Sequence, residues 1–140
     1  VLTESTEESS SGKLAEKIKE NVEGLFYISE TDAEILPFVG NRADEVSKKE
    51  ILSQTNSALD SAGEEKDFAG FFARLTKVQE WFGDEENENV QKFVRLKETL
   101  ENNLRDLKVF KVGKIELDIY VVGLDAENTL LGIKTKAVET

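Results

Sequence analysis

Apolar residues recur along this chain at helical spacing in some stretches and in strict alternation in others, and the order of those stretches outlines a fold. From Ser11 the rhythm is helical: Leu14, Ile18 and Val22 stand four apart, and Gly24 follows as a C-terminal stop. Residues 25–28, Leu-Phe-Tyr-Ile, form a short unbroken apolar run of β-preferring side chains, the mark of a buried strand. Residues 35–39 hold the only proline, Pro37, which confines a strand there to an edge or an end. Ser47 and Glu50 make the S-x-x-E form of a capping box opening a short helix through Ile51 and Leu52. Residues 55–66 read as loop. Asp67 then caps a helix whose Phe68, Phe71, Phe72 and Leu75 fall at i, i+3, i+4 and i+7, a stripe that belongs to the core.

The longest helix is predicted from about residue 84 to 106, with Val90, Phe93, Val94, Leu100 and Leu104 on one face and Lys97 with Glu101 outside. Its acidic start, Asp84-Glu85-Glu86, suits the positive end of the helix dipole. The last third alternates as a meander. One strand spans 107–112, Gly113-Lys114 turns, and Ile115, Leu117, Ile119 and Val121 face inward against Glu116, Asp118 and Tyr120 outside. A turn at 125–128 leads to a final strand at 131–138, followed by Glu139 and Thr140. The order α, β, edge strand, α, α, α, β, β, β predicts an α+β layered fold in which helices cover a mostly antiparallel sheet. At 140 residues the chain makes one domain. Residues 1–12 are rich in Ser and Glu without Lys or Arg, so they are expected to be a disordered acidic tail, leaving 13–140 as the single domain.

Charge narrows the partners. With 18 basic and 29 acidic residues the net charge is −11, which disfavours direct binding to nucleic acid or to an anionic membrane and favours a basic partner. No stretch reads as a secretory signal or a membrane span, and the expectation is a soluble, cytoplasmic protein, monomeric when free. The chain has no Cys, Met or His, so disulfides, thiolate nucleophiles, the commonest general base and the commonest transition-metal ligand are all missing. Carboxylates are plentiful, but Asp84, Glu85, Glu86 and Glu88 share one helical start and cannot flank a scissile glycosidic bond from opposite sides. No phosphate loop, nucleophile elbow or metal-binding loop is present. The chain reads as a non-enzyme.

Three places remain as candidate contact points. Trp81, the sole tryptophan, sits between two helices in a stretch, residues 80–89, with five acidic residues and no basic one. It is either a binding anchor or a plug between helices. Glu30 closes the apolar strand at 25–28, and the sequence finishes on Glu139 and Thr140, where oxygen donors stand side by side.

Several segments bear on these residues together. G-L-F-Y-I-S-E at 24–30, Q-E-W-F-G-D-E-E-N at 79–87, V-F-K-V-G at 109–113, I-E-L-D-I-Y-V-V-G at 115–123 and the closing V-E-T resemble the nuclease A inhibitor (NuiA-like) family. The resemblance covers most of residues 14–140, strongest from Phe68 and weakest between 31 and 66. It implies a three-layer α/β/α sandwich and inhibition of a sugar-non-specific endonuclease of the ββα-metal type. It further implies a partner-binding face made of Ser29, Glu30, Gln79, Glu80, Trp81, Glu139 and Thr140. Thr140 would approach the Mg²⁺ of the nuclease in the complex, the inhibitor itself carrying no cofactor. Glu80 stands where the family has the shorter Asp. The alternative is an acidic interaction module on the same scaffold with a different basic partner, and a carboxylate-based enzyme is a distant third.

Overall fold

The structure, a computed structural model, describes residues 10–57, 62–78, 80 and 82–139. Along the chain run α1 (Ser10–Val22), β1 (Phe26–Ile28), β2 (Asp32–Glu34), β3 (Leu36–Arg42), α2 (Lys48–Gln54), β4 (Gly63–Lys66), α3 (Phe68–Leu75), α4 (Asp84–Asn103), β5 (Arg105–Gly113), β6 (Glu116–Leu124) and β7 (Thr129–Val138). Strands β3-β7-β6-β5-β4 form one antiparallel sheet in that order, and β1 and β2 pair as a separate two-stranded ribbon. The expected meander is β5, β6 and β7. The strand carrying Pro37 is the edge strand β3, where a missing N–H costs no ladder hydrogen bond.

Helices lie on both faces of the sheet. On one, α1, α3 and α4 bury Leu14, Ile18, Phe72, Phe93, Leu96 and Leu100 against Val109, Leu117, Ile119, Val121 and Ile133. On the other, Ile51 of α2 and Val46 pack with Phe38, Phe110, Val122, Leu124 and Leu130. This is the mixed α+β architecture that the alternation and the helical stripes predict. Phe72 and Phe110 anchor one face each and are at most 1% exposed, so truncating either to Ala should cost about 3–5 kcal/mol. Between β6 and β7 the backbones approach so closely at Gly132 that a Cβ there would lie 1.9 Å from the Val121 carbonyl oxygen. No helix among the described residues is long and apolar enough to cross a membrane.

Local chemistry sets the boundaries. Gly24 adopts φ +75°, the left-handed conformation that ends α1. Ser47 Oγ accepts from Glu50 N–H at 3.1 Å, while the Glu50 carboxylate takes Gln54 Nε2 at 2.8 Å, so only half of the capping box forms. Asp67 accepts from Gly70 N–H at 2.8 Å, and Glu86 accepts from Gly83 N–H at 2.9 Å at the start of α4.

Several expectations are corrected. Ser10–Gly12, assigned above to a disordered tail, form the first turn of α1, and Ser11 Oγ donates to the Asp125 carboxylate in the β6–β7 turn. The remainder of that tail, residues 1–9, lies outside the described residues. The run at 25–28 is not buried throughout: Leu25 and Tyr27 are, but Phe26 is 44% and Ile28 60% exposed, because the ribbon has only one covered face. The stretch 55–66 contains a strand, β4, whose G-E-E-K sequence has no apolar position because it is an exposed edge paired only with β5. Helix α4 ends at Asn103, since Leu104 is already extended, and its buried face includes Leu96 and Thr99 while Val94 is only half-buried. Ile115 belongs to the β5–β6 turn and is 56% exposed, Gly113 still pairing with Leu117. Tyr120 is half-buried rather than fully outside, its ring packing edge-on against Phe38 at 5.7 Å.

Candidate functional site

The apolar segment of β1 ends because the chain must reverse into β2, and Ser29, Glu30 and Thr31 make that reversal. Ser29 N–H donates to the Thr31 carbonyl at 2.9 Å and its Oγ donates to the same oxygen at 3.2 Å. The same Oγ accepts the N–H of Val138 at 3.1 Å, and Glu30 N–H donates to the Val138 carbonyl at 3.4 Å. A turn early in the chain is thereby stitched to the tip of β7. On the far side of that tip Glu139 N–H donates to the Ile115 carbonyl at 3.0 Å, so the β5–β6 turn holds it as well. The ribbon is fixed beneath by Thr135, whose hydroxyl donates to the Glu34 carbonyl at 3.0 Å.

These contacts frame an open concavity of about 350 Å³ that includes Ser29, Glu30, Glu139, Arg74 of α3 and Lys111 of β5. Lys111 Nζ meets the Glu139 carboxylate at 3.0 Å, with the lysine side chain 12% and the glutamate 43% exposed. With its carboxylate half exposed the pair contributes modestly to stability but fixes where the Glu139 carboxylate sits. The concavity thus presents two carboxylates and two cations around a short stretch of anchored backbone. That is a surface for polar recognition. Among the described residues no cluster of three or more His, Cys, Asp or Glu is placed to hold a metal ion.

Of the expected face, the structure brings Ser29, Glu30 and Glu139 together. Glu80 is exposed in the connection between α3 and α4 and does not line the concavity. Gln79, Trp81 and Thr140 lie outside the described residues. Sequence reading missed Arg74 and Lys111. For Lys111 a signal existed: it has the parity of Val109 on β5, so a charged residue occupies a position facing the helical layer.

Two other polar centres lie away from this tip. Asp125 accepts from Ser11 Oγ, from Glu127 N–H at 2.8 Å and from Thr129 N–H at 2.9 Å, and Arg105 donates to its carbonyl at 2.8 Å. Burial pushes the Asp125 carboxyl up, but these hydrogen bonds and the Arg105 charge together hold it below its ordinary value. On the second face of the sheet, burial and the nearby Asp118 raise the Tyr120 phenol above its usual value despite a hydrogen bond with Thr55. The first centre clasps α1 to the β6–β7 turn.

No curated protein is similar enough to the chain to count as a match. A family model described as nuclease A inhibitor-like protein matches residues 12–140. That span takes in the turn at Ser29 and Glu30, the α3–α4 connection and the tip of β7, and the chain belongs to the nuclease A inhibitor-like family.

Proposed function

We propose that this protein is a stoichiometric inhibitor of a Mg²⁺-dependent, sugar-non-specific endonuclease of the ββα-metal type. Membership of the family implies a nuclease inhibitor in general terms, and the finer reading rests on the tip of β7. The observation that carries it is the stitching of Ser29 and Glu30 to Val138, which gathers residues far apart in sequence onto one rim. In this reading Glu30, Glu80 and Glu139 oppose cations that hold DNA phosphates in the nuclease, and the net charge of −11 steers the encounter. Thr140 follows directly on the anchored Glu139. Its oxygens approach the nuclease Mg²⁺, which keeps few protein ligands and leaves room for incoming oxygens. Gln79 is assigned polar contacts with the nuclease and Trp81 apolar burial against it. The protein acts without catalysis, without a cofactor of its own and without touching nucleic acid, and is a monomer until it meets its target.

The test is a titration against a panel of such nucleases, in which inhibition should reach a sharp equivalence point. Three variants at Thr140 then separate a metal-directed residue from an ordinary strand end. Deletion withdraws the donors by up to about 3.5 Å, and a Gly-Ser extension after Thr140 forces bulk into the nuclease cleft. Thr140→Val strips only the hydroxyl and should weaken inhibition least. Wild-type affinity in the extended form would overturn the role of Thr140, and failure against the whole panel would overturn the inhibitor reading.

A further inference from the structure

The ribbon of β1 and β2 has an outward face that the concavity does not use. Tyr27 points inward and stacks on Phe71 at 5.7 Å, so Phe26 and Ile28 must point the other way, 44% and 60% exposed. Asp32 pairs with Ile28 in register and borders the same face. Opposite it, the first turns of α4 bring up Glu85, Glu86 and Glu88. Between ribbon and helix runs an open groove of about 570 Å³ with Phe26 and Ile28 among its lining. Its charged residues are four carboxylates and one ammonium, that of Lys92. An outward ribbon face serving only hydration would carry polar residues on both strands, as β2 does with Asp32 and Glu34. Two large apolar side chains beside an acidic wall instead match a segment that is both apolar and positively charged.

We propose that this groove docks a basic amphipathic segment of the partner nuclease, its Lys or Arg head groups meeting Glu85, Glu88 and Asp32 while their aliphatic stems lie on Phe26 and Ile28. The proposal rests on the inhibitor reading and extends it. Ile28 lines both the groove and the concavity at Ser29 and Glu30, so a partner seated on that turn reaches the groove without a gap. Charge complementarity selects the occupant. A nucleic acid strand meets four carboxylates, and a second copy of the chain brings another −11 charges.

The experiment uses a nuclease that the wild-type protein titrates stoichiometrically. Phe26→Ser should weaken affinity about tenfold, as removal of a central apolar contact does, with an unchanged melting temperature because the ring is already half exposed. The double variant Glu85→Lys/Glu88→Lys should slow association several-fold more than Glu98→Lys/Glu101→Lys, which makes the same charge change further along α4. Glu86 is left intact because it caps Gly83. If both groove variants bind within about twofold of their reference protein while wild type inhibits fully, the groove proposal falls and the inhibitor reading stands. If wild type inhibits no nuclease, both fall. If sedimentation shows free wild type to be a dimer that Phe26→Ser dissociates, a second copy is the occupant and the proposal is overturned.

Discussion

Ser29→Ala tests whether the tip of β7 is held in place for a purpose. The substitution removes an acceptor of the Val138 N–H at 3.1 Å and a donor to the Thr31 carbonyl at 3.2 Å. Each hydrogen bond is worth about 1 kcal/mol net, and since water can reach this part-buried site the low end applies, giving a loss of roughly 1–2 kcal/mol. In a domain of this size that lowers the melting temperature by about 3–7 °C. The larger effect should be on binding. Without the Ser29 hydroxyl the tip is held from the β5–β6 side and by the longer Glu30–Val138 contact alone, and if binding must then fix one more residue the cost is about 1–2 kcal/mol, or roughly tenfold in Kd. Ser29→Thr keeps the hydroxyl and should behave as wild type. The measurements are a thermal melt, hydrogen exchange at the Val138 amide and a nuclease titration on the same preparations. Unchanged protection at Val138 would refute the hydrogen-bond argument, and full affinity despite lost protection would show that the tip makes no contact.

Three further outcomes are expected. Because the folded protein holds the Asp125 carboxyl below its ordinary value, its stabilising contribution is present above about pH 4 and lost as pH falls through the folded value; Asp125→Asn should cost about 2 kcal/mol at neutral pH and flatten the acid limb of a plot of melting temperature against pH. Gly132→Ala drives a Cβ to 1.9 Å from the Val121 carbonyl and should cost about 3 kcal/mol or more in denaturant titrations, whereas an equal loss at an exposed position such as Glu101 would contradict the steric cause. Raising ionic strength should slow association with the nuclease far more than it speeds dissociation, because screening acts on approach while short contacts persist; a kon flat with salt in stopped-flow traces would remove electrostatic steering.

What sequence reading found and missed has a common physical origin. The stripes of α1, α3 and α4 and the alternation of β6 and β7 were legible because each packs one face against a core, which imposes a period. Strand β4 imposes none, since its four residues are held through the backbone of β5 and all but Gly63 are exposed. The ribbon misled in the opposite sense. An unbroken apolar run concealed a period of two, with Leu25 and Tyr27 buried and Phe26 and Ile28 turned out. At the site, Ser29 and Val138 stand 109 positions apart, and no local pattern announces such a contact. The resemblance in motifs pointed to Glu30 and Glu139, but of the cations beside them only Lys111 left a trace in the alternation of β5, and Arg74 emerged from the packing of α3 near the tip.

The borders of the main sheet have a consequence for how the protein behaves when it is concentrated. A sheet border is a row of unpaired peptide groups, and a flat, apolar one recruits identical chains into fibrils. Here one border is β3, where Pro37 lacks a donor and an irregularity between Val39 and Arg42 breaks the register. The other is β4, where Glu64, Glu65 and Lys66 stand in solvent and a copy approaching in antiparallel register meets like charges. Removing the proline or neutralising the two glutamates leaves the fold's interior intact while opening a path to self-templated growth. Colloidal behaviour on storage, with no change in melting temperature, is where such substitutions will first be felt.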